Sequence, residues 1–237
     1  YNCENLRCVH ITKNVKFMGN NAFSDCYSLH LVNDSPYFVY EGGVLYNREK
    51  TTCMHYSMGS GVKDVVIADT VRTIGRNSFW NCYMIDSITI PKSVRQIGYN
   101  PFANCTNVKL INNSPFYALV DGVLYNSSVE ELVCCPSSAA ASGTVRIPDS
   151  VINIGRNAFA GCVNLISIDI PDSVRFISRG AFSGCSRLEH ARVPDALEEL
   201  GDWCFNGCAS LRRIELPAHL DVKPNTFNGC DAEVVRR

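Results

Sequence analysis

The chain has 237 residues, 46% hydrophobic and 19% charged, which is enough apolar material for an extensive core and too little charge for a disordered chain. Its formal net charge is −1, with acidic and basic residues mixed throughout, so it lacks the electrostatic footprint that a phosphate backbone demands, and nucleic acid is not an expected partner. No stretch approaches the roughly 18 to 20 uninterrupted apolar residues that cross a bilayer, and no membrane insertion is expected of this segment. Tyr1-Asn2-Cys3-Glu4-Asn5 has neither the basic region nor the apolar run of a signal peptide. The chain opens in mid-repeat and so reads as a piece of something longer, with any export signal or anchor outside it.

Thirteen cysteines invite a disulfide or zinc reading until they are numbered. Eight of them (Cys3, Cys26, Cys82, Cys105, Cys162, Cys185, Cys208 and Cys230) fall on a lattice, with steps of 23 residues, a last step of 22, and two wider gaps of 56 and 57 that hold insertions. In chain order, the first coils bring Ala22-Phe23 ahead of Cys26. The first insertion follows: Asn33-Asp-Ser-Pro-Tyr-Phe leads into Glu41-Gly-Gly-Val-Leu-Tyr46. It is expected to form a β-hairpin with a turn at Arg48-Glu-Lys50 and a second strand at Thr52–Tyr56. Ser57–Gly61 is expected to be a flexible connector. Two coils then carry Val71–Gly75 with Phe79 and Val94–Gly98 with Phe102. The second insertion repeats the first at an offset of 79, with Val120-Asp-Gly-Val-Leu-Tyr125, a Ser127-Ser128 turn and Leu132–Cys135. The connector Pro136–Gly143 is the segment expected to be most mobile. The remaining coils are the most regular. In each, a segment such as Leu165-x-x-Ile168-x-Ile170 alternates like a half-buried strand. Proline stops the strand at Pro91, Pro171, Pro194 and Pro217. Val-x-x-Ile-Gly turns the chain, its glycine expected to allow a tight bend. Ala-Phe then returns it, with the phenylalanines stacking as a spine. A unit of this size cannot bury its own apolar stripe, so the coils must stack. About nine of them would line one side of a curved body with a parallel sheet roughly 40 Å long. One elongated domain spanning 1–237 is expected, with hairpin insertions at about 36–61 and 115–143.

The recurring Ile-Pro-x-x-Val-x-x-Ile-Gly-x-x-Ala-Phe-x-x-Cys-x-x-Leu-x-x-Ile pattern, with the Asp121-Gly-Val-Leu-Tyr-Asn126 insertion, resembles the BspA-like, or Treponema-type, leucine-rich-repeat family over nearly the whole chain. The resemblance implies a repeat solenoid: a right-handed leucine-rich-repeat superhelix with a parallel concave β-sheet, an irregular or short-helical convex side and the two inserted β-hairpins. It also implies a secreted or cell-surface protein that adheres to host matrix proteins or to other cells, and it carries no catalytic residues to transfer. The sequence departs from the family pattern at Ser178 (for glycine), at Cys204 (for alanine) and at Lys223-Pro224. The last unit lacks an Ile-x-Ile-Pro strand and is expected to end the solenoid.

The lattice cysteines occupy one core position per coil and read as small buried hydrophobes. Off the lattice, the adjacent pair Cys134-Cys135 is the one candidate for redox sensitivity. The five histidines lack zinc-site spacing, and there is no nucleophile elbow, phosphate loop or recurring carboxylate pair, so no enzyme, metal or cofactor is expected. Binding candidates follow from strand alternation, which aims Ser87, Thr89, Ser167, Asp169, His190, Arg192, Arg213 and Glu215 at the concave face. Tyr37, Tyr40, Tyr46, Tyr117 and Tyr125 are possible hairpin contacts, although their alternation with Val44, Leu45, Val123 and Leu124 also suits packing. A protein (host matrix or cell-surface) or a glycan is the expected partner. The alternative is a structural or self-assembling repeat spacer without a foreign ligand.

Overall fold

Parallel strands recur once per coil in the computed structural model, which describes residues 3, 5–19, 22–23, 26 and 28–237. The chain divides into two compact units, Tyr1–Phe116 and Tyr117–Arg237. In the first, the strands are β1 (Cys8–Ile11), β2 (His30–Asn33), β3 (Phe38–Glu41), β4 (Val44–Asn47), β5 (Thr52–Tyr56), β6 (Asp64–Val66), β7 (Thr73–Ile74), β8 (Ser87–Ile90), β9 (Gln96–Ile97) and β10 (Lys109–Asn112). In the second they are β11 (Tyr117–Val120), β12 (Val123–Asn126), β13 (Glu131–Cys134), β14 (Thr144–Arg146), β15 (Asn153–Ile154), β16 (Ser167–Asp169), β17 (Phe176–Ile177), β18 (His190–Arg192), β19 (Glu199–Leu200), β20 (Arg213–Leu216) and β21 (Glu233–Arg236).

The expected parallel ladder is present within each unit, as β1–β2 and β6–β8–β10 in the first and β14–β16–β18–β20–β21 in the second. The last unit does not end this ladder: β21 pairs in parallel with β20 from Arg213↔Glu233 to Leu216↔Arg236, one rung more than the Ile-x-Ile-Pro pattern announces. A second parallel ladder, unforeseen in the sequence, joins the Val-x-x-Ile segments through the two-residue strands β7–β9 and β15–β17–β19. This ladder explains the glycine that follows. Gly75 and Gly155 have no left-handed backbone, but a β-carbon on either would lie 2.7 Å from the carbonyl oxygen of Cys53 or Leu132 in the neighbouring coil. The glycine therefore serves close approach of two backbones rather than a bend. A third line of contact runs through the phenylalanines. The N–H groups of Phe79, Phe159, Phe182 and Phe205 donate to the carbonyls of Pro101, Ala181, Cys204 and Thr226 one coil ahead, at 2.7 to 2.9 Å. The returning segment itself is a run of turns. The only helix among the described residues is the single turn η1 (Met58–Ser60), so of the irregular or short-helical side expected, the irregular form is present.

Each insertion is an antiparallel three-stranded meander. The outer strands β3 and β11, unforeseen in the sequence, pair with β4 and β12, which pair in turn with β5 and β13. β5 and β13 then start the second ladder by running parallel to β7 and β15. The turns are tied by Asn47 and Asn126, whose side-chain oxygens accept from the Thr51 and Thr52 amides and from the Glu130 and Glu131 amides. The connectors that follow are held, not loose. Ser57, Ser137 and Ala140 are fully buried, Ser57 donates to the Leu29 carbonyl, and Ser137 donates to the Gly161 carbonyl at 2.8 Å. Ser- and Ala-rich composition suggested mobility, but these hydroxyls close open carbonyls and the small side chains fit a crowded seam.

Inside the coils, Phe79, Phe102, Phe159, Phe182 and Phe205 have no solvent exposure. Ring centroids are 4.9 Å apart for Phe159–Phe182 and 5.3 Å for Phe182–Phe205, with interplanar angles of 14° and 4°, which makes the expected spine. Tyr56 extends it in the first unit at 5.8 Å from Phe79. Within each unit a rail of hydroxyls also ties successive coils. Ser93, Ser114, Ser150 and Ser173 donate to the carbonyls of Val71, Val94, Val129 and Val151 one coil back, at 2.7 to 2.8 Å. At Ala196 the rail has no hydroxyl, and the Arg175 guanidinium approaches the Val174 carbonyl instead, at 3.4 Å. Truncating the middle of the spine, Phe182→Ala, is expected to cost roughly 3 to 5 kcal/mol in denaturant unfolding. A loss below about 1 kcal/mol would mean that the stack carries little of the stability.

Candidate functional site

Stacking commits alternate strand residues to the interior, as Ile168, Ile214 and Leu216 show, and leaves their neighbours outside. On the second unit these outward residues form two rows. In one, Thr144, Ser167 and His190 are in register; in the other, Arg146, Asp169, Arg192 and Glu215. The second row alternates in sign, and its charges are largely satisfied locally. Arg192 reaches Asp172 at 2.7 Å and Asp169 at 3.3 Å. Arg213 reaches Glu215 at 3.0 Å and Glu233 at 3.6 Å, and Arg237 reaches Asp195 at 2.8 Å and Glu215 at 3.6 Å. The Asp172 carboxylate, helped by Asp169, holds Arg192 still more firmly protonated than usual. Arg213 holds the Glu215 carboxyl below its ordinary range. Two open clefts lie on this face and share Ser167, Asp169 and Arg192. One, of about 700 Å³, is bounded by Arg146, Asp149 and Asp172. The other, of about 670 Å³, is bounded by His190, Arg212, Arg213 and Arg237. Six expected contact residues, Ser167, Asp169, His190, Arg192, Arg213 and Glu215, thus gather around the two clefts.

The other two strand candidates, Ser87 and Thr89, belong to the first unit. Ser87 is in register with Asp64 and Lys109, and Thr89 with Val66 and Ile111. The tyrosines separate by burial. Tyr37 is 36% exposed, and Tyr40 and Tyr117 are half-buried, but Tyr46 and Tyr125 are 2% and 0% exposed and cannot offer a contact. They pack the meanders, and desolvation raises both phenol pKa values above the ordinary range. Phe116, 40% exposed and stacked under the Arg95 guanidinium at 4.9 Å, occupies the Tyr37 position of the second insertion.

Among the described residues no two cysteines are joined in a disulfide. The lattice members do more than fill space. The thiols of Cys105, Cys185 and Cys208 donate to the carbonyls of Phe79, Phe159 and Phe182 in the coil behind, at 3.0 to 3.2 Å. The position selects a side chain that is small, apolar and still a weak donor. Cys134 and Cys135 are both buried, and Cys135 lies against Cys162 one coil ahead. Burial pushes Cys53 and Cys208 up to about 12 and raises Cys204 well above the ordinary thiol value, so these thiols stay protonated and unreactive at neutral pH. Among the described residues no three His, Cys, Asp or Glu side chains converge as metal ligands would, and no helix is long and apolar enough to cross a membrane.

The sequence profile of the BspA type leucine rich repeat region matches in six copies, over residues 1–37, 54–144 and 140–236. The chain belongs to the BspA-type leucine-rich-repeat family. None of the curated proteins matches it. Among solved structures, it resembles a leucine-rich repeat protein from Eubacterium ventriosum with a TM-score of 0.71 and 23% identity, over 99% of this chain and 61% of that one. It also resembles a leucine rich cell surface protein from Faecalibacterium prausnitzii with a TM-score of 0.65 and 26% identity, over 99% and 60% of the two chains. Against the pneumococcal vaccine antigen PcpA the TM-score is 0.56 at 20% identity, over 91% and 46%. The chain therefore spans about three fifths of the first two relatives. The BspA-type fold is a general protein-interaction scaffold, and no enzyme family is indicated. The burial of the thiols has a direct readout. With a thiol reagent under native conditions Cys3 and Cys8, both exposed, should react fast and Cys230, half-buried, slowly, while all thirteen react after denaturation. Rapid native labelling of Cys185 or Cys204 would contradict the packing described.

Proposed function

We propose that this BspA-type chain is a non-catalytic recognition module of a secreted or surface-exposed protein, and that it adheres to a host matrix or cell-surface protein, or to a glycan, through the outward strand face of its second unit. The observation that carries this reading is the pair of adjoining clefts, about 700 and 670 Å³, set among alternating charges. An open, polar, mixed-sign surface suits a partner of similar character better than a small apolar ligand. The description of the F. prausnitzii relative as a cell surface protein supports the location. Tyr37 and Tyr40 on the first unit's meander and Tyr117 on the second unit's are the secondary contacts of this reading.

The ion pairs decide how the test is designed. Glutamate at position 192 would stand between Asp169 and Asp172, so charge removal is the cleaner change. Exposed pairs of this kind contribute between nothing and about 1 kcal/mol, so Arg192→Gln with Arg213→Gln should fold normally. Binding of the purified chain to immobilised matrix glycoproteins, cell-surface proteins and glycans should be saturable, and at least about tenfold weaker in the double variant. Saturable binding that the variant leaves unchanged would remove the second-unit face from the account. The absence of binding across a broad panel would remove the recognition reading.

A further inference from the structure

We propose that the outward face of β6, β8 and β10 in the first unit is a contact on which two copies of this chain pair. Two rows cross these parallel strands. One reads Asp64, Ser87, Lys109 and the other Val66, Thr89, Ile111. Val66 is 71% and Ile111 40% exposed, so β-branched apolar side chains stand outward where the same ladder of the second unit carries Asp169, Arg192 and Glu215. Asp64 and Lys109 are exposed and form no ion pair among the described residues; Asp64 accepts only from the Ser87 hydroxyl, at 2.6 Å. Two strand spacings, about 10 Å, separate the two charges, too far for them to meet within one copy.

The pattern is its own complement. A two-fold axis lying along β8 and above the face exchanges β6 with β10 and keeps each residue's height along the strand. Asp64 of one copy then faces Lys109 of the other, twice. Val66 faces Ile111, also twice, and the two Thr89 side chains meet on the axis. Face-to-face sheets pack about 10 Å apart, which these side chains can bridge. An isologous contact needs this kind of self-complementarity, and it is why a second copy fits better than a foreign surface. The contact uses residues outside the second-unit clefts.

Sedimentation of the intact chain between about 1 and about 100 µM should show a monomer–dimer equilibrium. Asp64→Lys alone, or Lys109→Asp alone, sets like charges opposite one another and should weaken the dimer at least about tenfold. The double swap, Asp64→Lys with Lys109→Asp, restores opposite charges across the axis and should recover the pairing, while Val66→Lys should abolish it. All three positions are exposed, and unchanged circular dichroism would show that folding is intact. A monomer at every concentration overturns the proposal, as does a double swap that pairs no better than the single variants. A dimer indifferent to Val66→Lys places the contact elsewhere and overturns it too.

Discussion

A coil of about 23 residues has two open sides, and almost every amide and carbonyl along its edges must find a partner in the coil before or after it. Three hydrogen-bonded lines meet that demand: the longer strand ladder, the two-residue ladder, and the phenylalanine N–H groups that reach one coil ahead. The side chains of the repeat are those that let these lines close. Glycine at 75 and 155 keeps a β-carbon out of the neighbouring backbone, serine at 93, 150 and 173 occupies carbonyls the ladders miss, and phenylalanine fills the interior between them. Cys105, Cys185 and Cys208 serve the stack too, each thiol turned to a phenylalanine carbonyl in the coil behind.

Side chains that repeat because they are buried were easy to see in the sequence. The cysteine lattice, the spine of Phe159, Phe182 and Phe205, and the prolines after the strands are periodic in type, and the structure uses them as their spacing suggests. Backbone partners leave a weaker trace. A two-residue strand such as Thr73–Ile74 has one buried side chain and no alternation to recognise, and a glycine needed for close approach looks the same as one needed for a bend. The connectors misled for a related reason. Pro136–Gly143 has the composition of a loop, yet Ser137 and Ala140 are buried because their small size suits a tight seam. In the candidate site, alternation correctly aimed Asp169, Arg192 and Glu215 outward, but it could not reveal that these charges largely pair with one another. Nor could it separate buried Tyr46 and Tyr125 from exposed Tyr37, since all three lie in aromatic-rich insertions.

Because stacking consumes the inward residues, a BspA-type scaffold can vary only what faces out, and the two units of this chain vary it differently. The second presents mixed charges around clefts, while the first presents Val66 and Ile111 beside a separated pair of opposite charges. The same physical rule thus leaves one surface with mixed charges and another with exposed β-branched side chains. Neither surface requires a change in the coils beneath it, which is how one repeat serves unrelated specificities.

Native-state hydrogen exchange at the amides of Phe79, Phe159, Phe182 and Phe205 tests the central claim most directly, because each of those N–H groups is bonded to the next coil. If inter-coil bonding holds the fold together, the amides of Phe159 and Phe182 will exchange only with cooperative opening of several coils, sharing one free energy and one denaturant dependence. If the Phe182 amide instead exchanges freely while its neighbours stay protected, single coils open independently and stacking is not what the structure depends on.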